Sequence, residues 1–165
     1  MLELGCGAGF TGIALLNNPN LSFSRLVMTD HHPKVISTLQ SNLEANFPNT
    51  SQNGRVEVKI LDWADYVGDP GRIEEECDLV IGADIVFDNS VIPQLVKCLA
   101  KLNRPAVLAS CIRDDLTDNV FRQNLIGTGL KFDYQTLANP FDTELNVPLH
   151  LYRISGGRGR LESQE

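Results

Sequence analysis

The sequence has no C-x-x-C pair and no clustered histidines, and its four cysteines stand apart at positions 6, 77, 98 and 111. That spacing offers neither a zinc site nor a disulfide framework. No apolar run approaches the 18 residues of a membrane-spanning helix. No charged segment leads into an apolar stretch at the start, as a secretory signal would require. Positive charge is also scarce: 14 Lys and Arg stand against 21 Asp and Glu, a formal charge of -7. A nucleic-acid binder displaces counterions with a basic stripe, and none is visible, so basic partners are the better electrostatic match. Aromatic residues make up only 7% and there is a single Trp. A soluble, cytoplasmic protein is the expectation.

What is present is a sizeable apolar fraction, 42% of 165 residues. A chain of this length suits one domain that buries roughly 68–70% of its unfolded surface. Short β-rich runs alternate with helical stripes. Met1 to Leu4, Arg25 to Thr29, Val56 to Ile60, Asp78 to Ala83 and Pro105 to Cys111 read as strands. Phe10 to Leu16, Pro33 to Asn46 and a stripe through Val91, Ile92, Leu95, Val96 and Leu99 read as helices. Asn89 or Ser90 is expected to cap the helix at Val91, and Thr117 a further helix bearing Val120, Phe121 and Leu125. Leu130 to Gln135 and Val147 to Ile154 have no helical pattern between them, which predicts an antiparallel hairpin at one edge. Strands alternating with single helices predict an α/β, doubly wound, mostly parallel sheet of Rossmann-like form. The domain is expected to occupy residues 1–155, with a disordered tail over 156–165. Only four residues precede the first glycine, so the domain reads as N-terminally shortened.

Three segments carry chemistry. Glu3-Leu4-Gly5-Cys6-Gly7-Ala8-Gly9 is a strand end opening into a glycine loop and a helix. Glycines there let the backbone approach a ligand, and the helix start offers unpaired N–H groups. Asp30 ends the next strand, where a carboxylate can accept from ribose hydroxyls. Loop and acid together point to an adenosine-containing cofactor. Leu61-Asp62-Trp63 follows the third strand: the acid suits an adenine amino group, and the indole either stacks on the ring or packs under a loop. Gly82-Ala83-Asp84-Ile85-Val86-Phe87 ends the fourth strand, so Asp84 lies toward the expected reaction centre. His31 and His32 are adjacent in sequence and read as the start of the helix at Pro33 instead of a metal pair.

The spacing of the first loop is G-x-G-x-G, and position 10 is Phe where a dinucleotide loop has its third glycine. Taken in order, LELGCGAG, LDW and GADIVF resemble the seven-β-strand (class I) S-adenosylmethionine-dependent protein lysine methyltransferases. The nearest likeness is to the elongation factor 2 lysine methyltransferase branch, and it runs from about Leu2 to Ile154. The resemblance implies that Glu3, Gly5, Cys6, Gly7 and Gly9 line the methionine and ribose end of S-adenosylmethionine. It implies that Asp30 holds the ribose, that Asp62 and Trp63 hold the adenine, and that Ala83 belongs to the same pocket. Asp84 would open the D-x-x-Y motif associated with the substrate lysine. The sequence departs from that motif at Phe87, which keeps an aromatic wall and loses a hydroxyl. The implied partner is a lysine-bearing protein, with no nucleic acid, no membrane and a monomeric state. A small-molecule methyltransferase, or a cofactor- or partner-binding module without catalysis, are the alternatives. Residues 1–82 hold five basic and eleven acidic residues, a balance that suits a lysine-bearing substrate or an ordinary solvated face.

Overall fold

The architecture is organised by β1 (Leu2–Glu3), a strand of two residues. It is flanked by β2 (Leu26–Asp30) on one side and β4 (Val80–Ala83) on the other, both parallel to it. The computed structural model describes residues 1–48, 54–68, 77–138 and 147–156. β3 (Val56–Ile60) pairs parallel with β2, and β5 (Ala106–Cys111) parallel with β4. β7 (Leu149–Ser155) runs antiparallel between β5 and β6 (Lys131–Leu137). The sheet order is β3-β2-β1-β4-β5-β7-β6. The predicted antiparallel hairpin is therefore present, with β6 as the edge strand.

The chain winds outward from β1 in one direction through β2 and β3, and in the other through β4 and β5. The crevice between β1 and β4 is thus the topological switch point, where open α/β sheets bind ligands at the carboxyl ends of their strands. The loops after β1 and β4 open onto that crevice.

Helices cover both faces. α1 (Phe10–Asn17) and α2 (Pro33–Asn46) are the crossovers from β1 to β2 and from β2 to β3. Cys6, Leu26, Met28, Ile36, Leu39, Leu43 and Val56 form the core on this side. α1 comes very close to the sheet because its buried position is Gly12: a Cβ there would lie 2.3 Å from Met28 Cε. On the opposite face, α4 (Ile92–Leu102) and α5 (Asp115–Gly127), the latter through Phe121 and Leu125, pack over Leu2, Val80, Leu108 and Tyr152. Burying a large apolar side chain here stabilises by about 1.5–3 kcal/mol.

Several local features differ from the sequence reading. α3 (Trp63–Gly68) is a six-residue helix that no apolar periodicity announces, because it is too short to complete two turns. α4 is not capped by Asn89 or Ser90. The Asp88 carbonyl accepts from the N–H groups of Val91 and Ile92 and starts the helix instead. α5 is capped by Asp114, whose side chain accepts from the Thr117 N–H at 2.7 Å, so Thr117 is the donor and not the cap. His32 does start α2, its Nδ1 accepting from the Lys34 N–H with Pro33 first in the helix. The tail expected from Gly156 lies, from residue 157 on, outside the described residues.

Candidate active site

β1 ends at Glu3 and the chain turns through Gly5, Gly7 and Gly9, all with positive φ (59°, 54° and 92°). The loop is pinned from three sides. Cys6 N–H donates to the Thr29 carbonyl, Gly7 N–H donates to Asp30 Oδ2 at 3.1 Å, and Asn42 on α2 donates to the Ala8 carbonyl. Its glycines have different duties. A Cβ on Gly9 would lie 2.3 Å from Leu39 Cδ1, so Gly9 serves packing. A Cβ on Gly7 would meet nothing within 4 Å, so Gly7 faces open space and lets a ligand approach the backbone.

Glu3 is only 1% exposed, and its Oε2 has no hydrogen-bond partner among the described residues. Burial raises its pKa to about 7, opposed by the Gly12 amide. A buried carboxylate oxygen without a partner is costly for a fold to retain, and such groups concentrate at functional sites. Asp30 ends β2 beside it. One Asp30 oxygen accepts from Gly7 N–H and the other from His32 N–H at 3.1 Å. Cys6 is buried between these acids. Desolvation, then Glu3, then Asp30 push its thiol to about 12, which keeps it protonated and rules it out as a nucleophile at neutral pH. The structure therefore brings Glu3, Cys6, Gly7 and Asp30 into one cradle.

Trp63 meets the same loop from the end of β3, and Asp62 precedes it. Asp62 is exposed, with Oδ1 accepting from Ala64 N–H at 2.8 Å, so one oxygen caps α3. Trp63 is half-buried against the core, its Cζ2 3.5 Å from the position of a Cβ on Gly5. The indole thus packs under the glycine loop while the acid stays at the surface. Ile85, buried after β4, closes the junction: its Cγ2 is 2.7 Å from the same Gly5 position. Gly5 is glycine because Ile85 fills the space a side chain would need. This contact ties the loops after β1, β3 and β4 together, and the sequence pattern gave Ile85 no such part.

Ala83 is the last residue of β4 and is exposed. Asp84 follows in the left-handed region (φ 57°), which Asp tolerates better than most residues. Its N–H donates to the Ala109 carbonyl on β5. Arg113, two residues beyond β5, grips its carboxylate bidentately, Nη1 to Oδ1 at 2.8 Å and Nη2 to Oδ2 at 2.6 Å. The guanidinium holds Asp84 below the usual carboxylate range. Sequence reasoning did not identify this pair. No local spacing announces it: the in-register pairing of Ala83 with Ala109, seen only in the folded sheet, is what brings the two strand ends together. Phe87 is 61% exposed and lines a small cavity with Val86, Cys111, Ile112, Arg113, Asp114, Thr117 and Asp118. Behind it lies a network that sequence reading missed. The buried Asp118 carboxylate accepts from the Tyr152 hydroxyl, lies 3.2 Å from His150 Nδ1 and pairs with Arg122 at 3.0 Å. Among the described residues no cluster of His, Cys, Asp and Glu could hold a metal ion. No described helix is long and apolar enough to cross a membrane.

A family model described as lysine methyltransferase matches residues 1–127. The chain belongs to that family. Its similarity to the protein-lysine N-methyltransferase EFM3 of Saccharomyces cerevisiae is 29% identity, spanning 94% of this chain and 50% of the relative. Mouse protein N-lysine methyltransferase METTL21A is 31% identical, over 92% of this chain and 64% of that one. The EEF1A lysine methyltransferase 3 of Xenopus tropicalis is 29% identical, over 89% and 61%. The chain spans about half to two-thirds of the length of these lysine methyltransferases. Among solved structures, an O-methyltransferase from Bacillus cereus in complex with SAH superposes with a TM-score of 0.65 at 18% identity, covering 93% of this chain and 73% of that one. At that identity the likeness fixes the fold alone, and the fold is the seven-stranded methyltransferase sheet that the resemblance implied.

Proposed function

We propose that this chain forms the cofactor-binding and catalytic part of an S-adenosylmethionine-dependent protein-lysine N-methyltransferase. The observation that carries the reading is the cradle at the switch point, where the partnerless Glu3 oxygen and the open backbone at Gly7 stand beside Asp30. These residues fit the cofactor chemically. A buried acceptor is available for a cationic or hydroxylated group, a glycine backbone is open to close approach, and a carboxylate stands at a strand end suited to ribose hydroxyls. In this reading Glu3, Gly5, Cys6, Gly7 and Gly9 line the methionine and ribose end, with Asp30 at the ribose. Asp62, Trp63 and Ala83 complete the pocket, with Asp62 toward adenine. When bound, S-adenosylmethionine supplies an activated methyl group on a sulfonium, and the protein's part is alignment and exclusion of water.

Asp84 and Phe87 form the acceptor side. Phe87 gives an apolar wall, and Asp84 orients the lysine nitrogen by hydrogen bonding. The nitrogen must reach the reaction as a neutral amine. With an ordinary pKa of about 10.4, that form is about one part in a thousand at pH 7.4, a deficit of roughly 4 kcal/mol. Desolvation lowers it and a carboxylate opposes it, so Asp84 is a recognition group and not a strong base. The acidic balance of the chain suits a protein substrate presenting lysine; the motif resemblance makes elongation factor 2 the first candidate, and the name of one relative, EEF1A lysine methyltransferase 3, adds EEF1A as a second. A monomer acting in the cytoplasm completes the reading.

The test is calorimetric titration with S-adenosylmethionine, with NAD as control, followed by transfer of labelled methyl groups to elongation factor 2 and to lysate proteins. Selective binding and label in a protein lysine support the proposal; label in a metabolite would indicate a small-molecule methyltransferase. A second reading, a binding module without catalysis, is favoured by one observation: Phe87 stands where the D-x-x-Y motif has its tyrosine, so the acceptor side lacks that hydroxyl. Cofactor binding with no transfer to any acceptor would select it.

A further inference from the structure

We propose that Arg113 is a positioning residue for the acceptor amine. By gripping Asp84 at two points it turns a bare anion into a neutral pair, so that a lysine entering beside Asp84 meets a site that does not favour its protonated form. This inference rests on the methyl-transfer reading and resolves its main electrostatic conflict, that of an acid placed beside a nucleophile that must lose its proton.

The geometry is specific to these two residues. The pair joins the ends of neighbouring strands, Asp84 after β4 and Arg113 after β5, and both carboxylate oxygens are engaged. Cys111 N–H adds a longer contact to Oδ1 at 3.4 Å, and the Ala109 carbonyl holds the Asp84 backbone. The other charged groups around it have their own partners. On the segment after β4, Asp88 accepts from the N–H and hydroxyl of Ser90. From α5, Asp114 caps the helix through Thr117, and Asp118 is taken up by Tyr152, His150 and Arg122. Cys111 is the titratable side chain contributed by β5. Among the described residues, Arg113 is thus the cation at ion-pair distance from Asp84.

An opposite charge close to an ionisable group favours its charged form. A bare Asp84 would hold the lysine as ammonium, whereas the guanidinium, charged at every working pH, cancels most of that pull. The proton passes from the ammonium to water, and the nitrogen is left with its lone pair. The side chains of Asp84 and Arg113 are 42% and 55% exposed, so solvent tempers the effect. Removing the cation should shift the amine by about one pH unit.

The experiment compares wild type, Arg113→Gln and Arg113→Lys with saturating labelled S-adenosylmethionine and the acceptor protein that takes up label, elongation factor 2 first, between pH 6.5 and 9.5. For Arg113→Gln the rise of kcat with pH should move about one unit alkaline, with kcat at pH 7.4 falling about tenfold. The acceptor KM should stay level or fall, and Arg113→Lys should recover most of the profile. Superimposed profiles, or a raised KM at unchanged kcat, would overturn the proposal and leave the methyl-transfer reading intact. Carboxyl NMR of Asp84 gives a readout free of turnover. Its titration should lie below the ordinary range in wild type and rise in Arg113→Gln, and identical titrations would show that the pair is absent in solution and overturn the proposal directly. An intact pair in a wild type that methylates no acceptor would instead overturn the reading beneath it, and the inference with it.

Discussion

Replacing Glu3 by Gln tests the cradle most directly, because it removes a charge and keeps the shape. Glu3 is buried, and its pKa stands at about 7 against an ordinary 4.5. A folded-state value above the unfolded one means that the native protein holds the proton more tightly. The stability this gives is complete below about pH 4.5, declines as pH rises and levels off above about 7. At about 1.4 kcal/mol per pH unit, the wild type loses roughly 3 kcal/mol across that window. Glu3→Gln does not titrate and escapes the loss. Its amide group also brings a fixed cost, of roughly 1–3 kcal/mol if its donors go unpaired, so the sign at one pH is not diagnostic. The pH dependence is. About 2.5 kcal/mol of the wild-type loss falls between pH 5 and pH 8, so the melting temperature of Glu3→Gln relative to wild type should climb by roughly 5–10 °C over that range for a chain of this size. Saturating S-adenosylmethionine should narrow the gap at pH 8, because a bound partner relieves the carboxylate in wild type alone. A difference in melting temperature that is constant from pH 5 to pH 8 would refute the argument, since a solvated or hydrogen-bonded Glu3 would give that result.

The glycine loop yields a contrast: Gly9→Ala drives a methyl against Leu39 at a φ of 92° and should cost roughly 2–5 kcal/mol in urea unfolding. Gly7→Ala has open space and should cost no more than about 1–2 kcal/mol, yet weaken cofactor binding in calorimetry; equal stability losses would remove the distinction. Asp84→Asn should cut turnover while leaving the dissociation constant for S-adenosylmethionine within about twofold and stability within about 1 kcal/mol, as its partly exposed ion pair allows. Loss of cofactor binding would move Asp84 into the wrong pocket. Tyr152→Phe deletes the hydroxyl donated to the buried Asp118 and should destabilise by roughly 1.5–3 kcal/mol in urea unfolding, with cofactor affinity unchanged.

What the sequence made legible, and what it did not, follows from the range of each interaction. Val56 to Ile60, the helix from Pro33 to Asn46 and the buried strand ending at Ala83 are written in local periodicity, and the fold repeats them within a residue or two. Glu3, Asp30 and Asp84 were legible as strand-end acids because an α/β sheet places every strand end on one rim. The caps of α4 and α5 were misplaced by one to three residues because Asp, Asn, Ser and Thr in a row all offer capping chemistry, and only the backbone turn chooses among them. α3 was invisible because six residues hold too few turns for a pattern. The contact of Ile85 with Gly5, the Asp84–Arg113 fork and the Asp118–Tyr152 bond join residues 29 to 80 positions apart, and no local spacing encodes such pairs.

The two acids of the site differ in a way that bears on mechanism. Glu3 lacks a partner on one oxygen and is held near neutrality by burial, whereas Asp84 is paired with a guanidinium and held ionised. Environments that drive two carboxylates in opposite directions assign them opposite tasks. An unsatisfied buried acid favours the arrival of a cation or a hydrogen-bond donor, and stabilises the complex by more than it stabilises the empty fold. A neutralised, partly exposed acid adds little net attraction for a cation but keeps an oriented acceptor for one N–H. The first is suited to gripping a ligand that stays through the reaction, the second to aligning an amine whose charge must be shed. Reversing the two, by Glu3→Gln together with Arg113→Gln, should weaken S-adenosylmethionine binding and tighten binding of the protonated acceptor. Opposite movement of those two dissociation constants is what this division of labour requires, and parallel losses would count against it.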